Sequence, residues 1–230
     1  MSAFEKHITS DSAVAARAIV WGSGLTEQQK SDVLESTLLG QAAADKQHPS
    51  KSESDTLQWY KTYQDTLGSV GWVVQGSAFT EVHSNHARGS VDDVVLQALA
   101  TDSTVDKNLY ASVARAILSY SRAGEDSDAA KVFNDSSIAS TSKFVSFQIA
   151  VASSDDNGSV VLTLYAFFYS SSSTVKNSLW YSWTDETDLS IKTSKLQMTL
   201  NSGIYKQVRA SIHEKLRAAD KLQFIVPLCE

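Results

Sequence analysis

A chain of 230 residues with 42% hydrophobic and 20% charged residues lies in the ordinary globular range and is long enough to bury a sizeable core. A formal charge of −6 and a pI near 5.4 leave no basic face to neutralise phosphates, which argues against nucleic acid and anionic membrane surfaces while leaving zwitterionic or sterol-rich ones open. The only cysteine, Cys229, permits no intrachain disulfide, residues 1–7 lack the pattern of a secretory signal, and the longest apolar stretch, 160–169, is about half the length a spanning helix needs. A soluble, cytoplasmic protein is expected.

Thr26 with Gln29 forms a capping box that opens a helix over 27–46, with Val33, Leu34, Thr37, Leu38 and Gln41 at helical spacing. A second helix over 55–67 carries Leu57, Tyr60 and Gln64 on one stripe and Trp59 and Tyr63 on the next, and the short loop through Pro49 makes the two a hairpin. A strand follows from Trp72 to about Val82, standing alone in the first half, while Gly22-Ser23-Gly24 reads as a turn. Ser90 with Asp93 opens a helix over 91–100. A further helix starts at 102–104, with Leu109, Val113, Ala116, Ile117 and Tyr120 on one face, and a short one spans 126–133.

At Lys143 the hydrophobic period changes from 3.6 to 2. Strands are expected over 144–152, 160–169, 179–183 and 189–200, joined by an Asp155-Asp156-Asn157-Gly158 hairpin turn and a serine-rich turn at 170–174. Asn201 caps a closing helix with Ile204, Val208, Ile212 and Leu216 inward and Lys206, Arg209, Lys215 and Arg217 toward water, before a short extended piece over 222–228. The expectation is one α+β domain over residues 1–230. Its antiparallel sheet has about five strands, one from the first half and the rest from 143–200 in a meander, covered by helical hairpins and a C-terminal helix.

Chemistry-bearing motifs are sparse. His83 and His86 have the spacing of two metal ligands, but on a polar loop without neighbouring cysteines or carboxylates, so no metal site is assigned. His7, His48 and His213 fall on expected solvent faces. The acidic groups Asp92-Asp93, Asp155-Asp156 and Asp185-Glu186 with Asp188 sit where helix starts and turns favour acids. No nucleophile elbow, phosphate loop or dinucleotide fingerprint occurs, and no catalytic residue is assigned.

The aromatic residues are concentrated. Tyr165, Phe167 and Tyr169 share one face of a strand, Trp180, Tyr181 and Trp183 stand on the expected neighbouring strand, and Trp72 and Phe147 belong to the same sheet. Such a wall is either a helix-covered core or one side of a cavity for a flat apolar ligand, oriented by tyrosine hydroxyls and tryptophan N–H groups.

Residues 57–63 and 67–75, with 160–183, resemble a little-described microbial α+β family, and in size and aromatic content the chain is similar to pigment-bearing proteins of mushroom fruit bodies. The order of paired helices, a strand, more helices, long strands and a closing helix is similar to that of the Cyt-type cytolysins. The first resemblance implies a bound aromatic chromophore; the second implies membrane activity. The leading expectation is a non-enzymatic protein that binds a small aromatic or apolar molecule, a pigment included, through Tyr165, Phe167, Tyr169, Trp180, Tyr181, Trp183 and Trp72. The alternatives are a membrane-active, pore-forming cytolysin and, third, a hydrolase. Homo-oligomerisation through an exposed sheet edge is open under each.

Overall fold

The computed structural model describes residues 10–50, 52–83, 89–101, 105, 107–183 and 190–228. In chain order these form β1 (Ser12–Ala15), β2 (Ala18–Gly22), α1 (Glu27–Gln47), α2 (Thr56–Ser69), β3 (Trp72–His83), β4 (Gly89–Ser90), α3 (Val91–Thr101), α4 (Lys107–Ala123) and α5 (Asp128–Ser137). They continue with β5 (Phe144–Ser154), β6 (Val160–Ser170), β7 (Ser182–Trp183), β8 (Ser190–Leu200), α6 (Ser202–Ala218), a 3-10 turn (Leu222–Phe224) and β9 (Ile225–Pro227).

The capping box at Thr26 forms as its residue types require: the Thr26 side chain accepts from the Gln29 amide, and the Gln29 side chain accepts from the Thr26 amide. The expected stripe of α1, Val33, Leu34, Thr37, Leu38 and Gln41, is buried. On α2 the buried side chains are Trp59, Tyr60, Tyr63 and Leu67, whereas Leu57, expected on one stripe with Tyr60, is 60% exposed. Gly40 brings the two helices together: a Cβ there would lie 2.8 Å from the Tyr63 ring.

Seven strands share one sheet in the order β3-β8-β6-β5-β2-β1-β9, two more than expected, and β4 pairs β7 in a separate ladder. All pairings are antiparallel except β2 with β5, which is parallel. β1 and β2 escape a sequence reading because they are short, and because their turn runs through Ala16 at φ 48 without the Gly or Asn that marks such turns. β9 is three residues long and ends in Pro227, which an edge strand tolerates.

The expected strand over 179–183 is not in the main sheet, and the meander is broken there: β8 pairs directly with β6. The intervening chain folds over the sheet face, buries Val175 and Leu179, and supplies the Tyr181 and Leu179 carbonyls to the amides of Val91 and Asp92. Those carbonyls satisfy the first orphan donors of α3, which explains why this segment leaves the ladder. On α6 the expected solvent-facing Arg209 instead turns inward to an acid on α1, while Ile204, expected inside, is 46% exposed.

Helices cover both faces of the sheet. One apolar cluster joins α1, α2 and α6 to Leu162, Leu164, Ala166, Phe168, Leu196, Met198 and Leu200. The other joins α3, α4 and α5 to Val145, Phe147, Ile149, Val151, Tyr165, Phe167 and Tyr169. The period-two alternation of β5 and β6 places successive side chains in opposite clusters, so these strands read as continuously apolar.

Candidate functional site

Six of the seven aromatic residues proposed to bind ligand belong to one side of the sheet. Tyr165, Phe167, Tyr169 and Trp183 are buried in the α3–α5 cluster, and Trp180 and Tyr181 pack against it partly buried. Trp72 is on the opposite face, in the α1–α2–α6 cluster, where its Nε1 donates to Ser36 Oγ at 3.0 Å. The rings fill one another's space: Phe147 stacks on Phe167 at 5.2 Å, Trp180 on Tyr120 at 4.7 Å and Tyr181 on Tyr169 at 6.0 Å. Tyr169 donates its hydroxyl to the Ser178 carbonyl at 2.8 Å, and the Tyr181 hydroxyl shares a 2.6 Å hydrogen bond with Ser171 Oγ. Burial raises the phenol pKa of Tyr60, Tyr63, Tyr120, Tyr169 and Tyr205 well above the ordinary tyrosine range.

The scattered polar candidates take separate places. His83 ends β3 by its backbone, and His86, Asp185, Glu186, Asp188, His7 and Cys229 lie outside the described residues. His48 Nε2 is 3.0 Å from Thr62 Oγ1 across the α1–α2 hairpin. Asp93 accepts from Ser90 Oγ at the start of α3, and Asp155 Oδ1 accepts from the amides of Asn157 and Ser159 within its turn. Among the described residues, no three His, Cys, Asp or Glu side chains are grouped to hold a metal ion.

A polar seam that the sequence reading missed joins α1 to α6. Asp32 and Glu35 of α1 are 4% and 5% exposed. Arg209 donates to both Asp32 oxygens, each at 2.7 Å, and His213 Nδ1 lies 3.0 Å from Glu35 Oε1. The Asp32 hydrogen bond, against a smaller cost of burial, raises the Arg209 pKa above its ordinary value. Tyr205 donates its hydroxyl to the Asp32 carbonyl at 3.0 Å. The only trace in the sequence is matched spacing: acids three apart on the inner face of one helix, and a base and a histidine four apart on the other.

The four strands β3, β8, β6 and β5 stand side by side and are 11 or 12 residues long. The second half of β8, residues 195–200, is amphipathic within this block, while its first half carries Lys192 and Ser194 on the side of Leu196 and buries Ile191 on the other. Leu196, Met198 and Leu200 are buried under the α1–α2–α6 layer, whereas Thr193, Lys195, Gln197 and Thr199 alternate onto the other side, half-buried or exposed. On that side Lys195 Nζ lies 5.6 Å from the Tyr165 ring centre, and Gln75 donates to Thr199 Oγ1 at 2.7 Å. Among the described residues, no helix is long and apolar enough to cross a membrane.

No protein-family model and no curated protein matches the chain. Among solved structures it is similar to the Evf virulence factor, with 10% identity over 89% of this chain and 84% of that one and a TM-score of 0.42. It is also similar to the activated Cyt2Ba monomer from Bacillus thuringiensis subsp. israelensis, with 14% identity over 81% of this chain and 97% of that one and a TM-score of 0.45.

Proposed function

We propose that this chain is a membrane-active, pore-forming protein whose α1–α2–α6 layer lifts from the sheet so that the long strands enter the bilayer. The observation that carries this reading is the two-sidedness of the second half of β8, residues 195–200, inside a block of long, contiguous strands. A strand in a membrane barrel needs about 9–11 residues, an apolar face for lipid and a polar face for the lumen. On β8, Leu196, Met198 and Leu200 supply the first, and Lys195, Gln197 and Thr199 the second. Burying the lipid-facing side under helices keeps it from water until a membrane replaces the cover. Within the layer, α1 and α6 are joined to each other along the Asp32–Arg209 and Glu35–His213 seam, so the two helices lift as a unit.

Aromatic residues stacked on one another, with hydroxyls committed to Ser178 and Ser171, account for the ring-rich face as core. The pigment-binding alternative therefore has no specific geometry in its favour. Release of a trapped dye from phosphatidylcholine vesicles, with and without sterol, is the direct test. Absence of release at every composition, including vesicles with anionic lipid, sinks the reading. Where release occurs, Lys195→Glu is expected to shift the ion preference of single channels in a planar bilayer toward cations, since residue 195 lines the lumen.

A further inference from the structure

The apolar contact between the α1–α2 hairpin and the sheet is interrupted by a set of hydrogen bonds. Gln148 stands on the β5 row that faces the hairpin and is fully buried, and Gln41 of α1 above it is 1% exposed. Gln41 Nε2 donates to Gln148 Oε1 at 3.2 Å and to the Ala15 carbonyl at 3.1 Å, and its Oε1 accepts from the Arg17 amide at 3.1 Å. Gln148 Nε2 donates in turn to the Tyr60 hydroxyl of α2 at 3.1 Å. Beside this web the Arg17 guanidinium, buried at the β1–β2 turn, donates to Asp45 of α1 at 2.5 Å and lies 4.5 Å from the centre of the Trp59 ring. Both helices of the hairpin are thus fastened to the sheet by polar groups.

The opposite face is joined differently. There Phe133 of α5 meets Phe147 of β5 at 5.9 Å, Phe147 stacks on Phe167 at 5.2 Å, and Phe133 packs against Tyr120 of α4 at 4.9 Å. Separating ring from ring exposes apolar surface that water does not compensate, whereas a hydrogen bond between buried amides is exchanged for bonds to water at small net cost. Interface given to Gln41, Gln148 and Arg17 therefore contributes less to docking than the same area of leucine would, and a buried guanidinium regains its hydration on opening. The outer contact of the hairpin is weaker still: Lys192 Nζ and Glu53 Oε1, 2.6 Å apart, belong to side chains that are each about half exposed.

We propose that the Gln41–Gln148–Tyr60 web is the release point of the fold. At this web α1 and α2, with α6 carried on the Asp32–Arg209 fork, part from the sheet in water as one rare sub-global opening while the α3–α5 face stays docked. The web also fixes where the hairpin reseats, because the two glutamines admit only the register in which all their bonds close. The inference deepens the pore-forming reading and rests on it for its purpose, since it names what lets that layer leave; the opening itself needs no membrane.

Native-state hydrogen exchange of the full chain without lipid, followed at low urea, is the test. Amides of residues 33–40 and 60–67 are expected to exchange together, ahead of those of β5 and β6, through an opening that exposes less surface than global unfolding. Tyr60→Phe leaves the buried Gln148 side-chain amide without that acceptor and is expected to speed exchange in α1 and α2. Adding Gln148→Leu removes the other half of the pair, while Gln41 keeps its bonds to Ala15 and Arg17. The double variant is therefore expected to exchange in α1 and α2 about tenfold more slowly than the wild type. A web that only stabilised the fold would give faster exchange in both variants. Wild-type exchange of α1 and α2 solely in step with β5 and β6 overturns the proposal without any variant, and so does a double variant that opens as fast as the native chain or faster. Dye release from vesicles reads the other claim. Release by a chain whose hairpin shows no separate opening keeps the pore-forming reading and removes this inference; a separate opening without release does the reverse.

Discussion

Arg209 of α6 grips Asp32 of α1 with two hydrogen bonds of 2.7 Å, Nε to Oδ1 and Nη2 to Oδ2, and this fork sets the distance between the two helices. Asp32 is almost fully buried while the Arg209 side chain is one-third exposed. Removing the arginine leaves a nearly buried carboxylate without its charged partner, with the Gln28 side-chain amide still donating to Oδ1 at 3.0 Å.

Arg209→Met is therefore expected to destabilise the fold by about 2 kcal/mol, less than a fully buried pair because the arginine end is partly hydrated. The double variant with Asp32→Leu is expected to recover most of that loss, since no isolated charge remains. Urea denaturation of the two single variants and the double variant measures the coupling; equal and additive losses would show that the pair does not act as a unit.

Gly40 and Gly68 sit in the same helical hairpin under opposite constraints. Gly40→Ala places a Cβ 2.8 Å from the Tyr63 ring and is expected to cost about 1–3 kcal/mol, with α1 and α2 forced apart. Gly68→Ala meets nothing within 4 Å near the end of α2 and is expected to stabilise by about 0.5 kcal/mol through the helix preference of alanine. Thermal melts of the two variants should move in opposite directions.

Raised phenol pKa values carry a definite sign. For Tyr60, Tyr63, Tyr120, Tyr169 and Tyr205 the folded state holds the proton more tightly than the unfolded state, chiefly through burial. Their stabilising contribution is complete below the unfolded tyrosine pKa, about 10, and is lost as pH rises through the folded values. Stability should fall steeply above pH 10. These phenols should ionise together with unfolding, which simultaneous phenolate absorbance and circular dichroism would record as one transition. Early, gradual ionisation of all eight tyrosines with the circular dichroism intact would contradict it.

Thr26→Ala removes the acceptor for the Gln29 amide and half of the reciprocal cap. A loss of about 1 kcal/mol is expected, with hydrogen exchange accelerating first in the opening turn of α1. Exchange that accelerates only at the far end of α1 would argue against a local capping role.

Elements with strong local signatures were legible in the amino-acid order. The capping box at Thr26, the Ser90–Asp93 pair, the change of period at Lys143 and the Asn201 cap locate α1, α3, β5 and α6 to within a few residues. What escaped is set by distant partners. β1 and β2 become strands because β9 and β5 pair with them, and the 171–181 segment leaves the sheet because α3 needs its carbonyls. At the candidate sites, the two faces of β8 follow from alternation alone. The Asp32–Arg209 fork joins residues 177 apart, and Arg17 gains its surroundings from α1, α2 and β5, so neither is visible in a local window.

The pairing of β9 with β1 has a consequence for synthesis. β1 leaves the ribosome long before the strand that covers its outer edge, residues 225–227, with the Leu228 amide closing on the Ser12 carbonyl. Until that later stretch emerges, the nascent chain carries a row of unsatisfied peptide groups along the outer edge of β1. Chaperone occupancy should persist there until translation has passed residue 228, and stalling just short of it should leave a product prone to strand-to-strand aggregation.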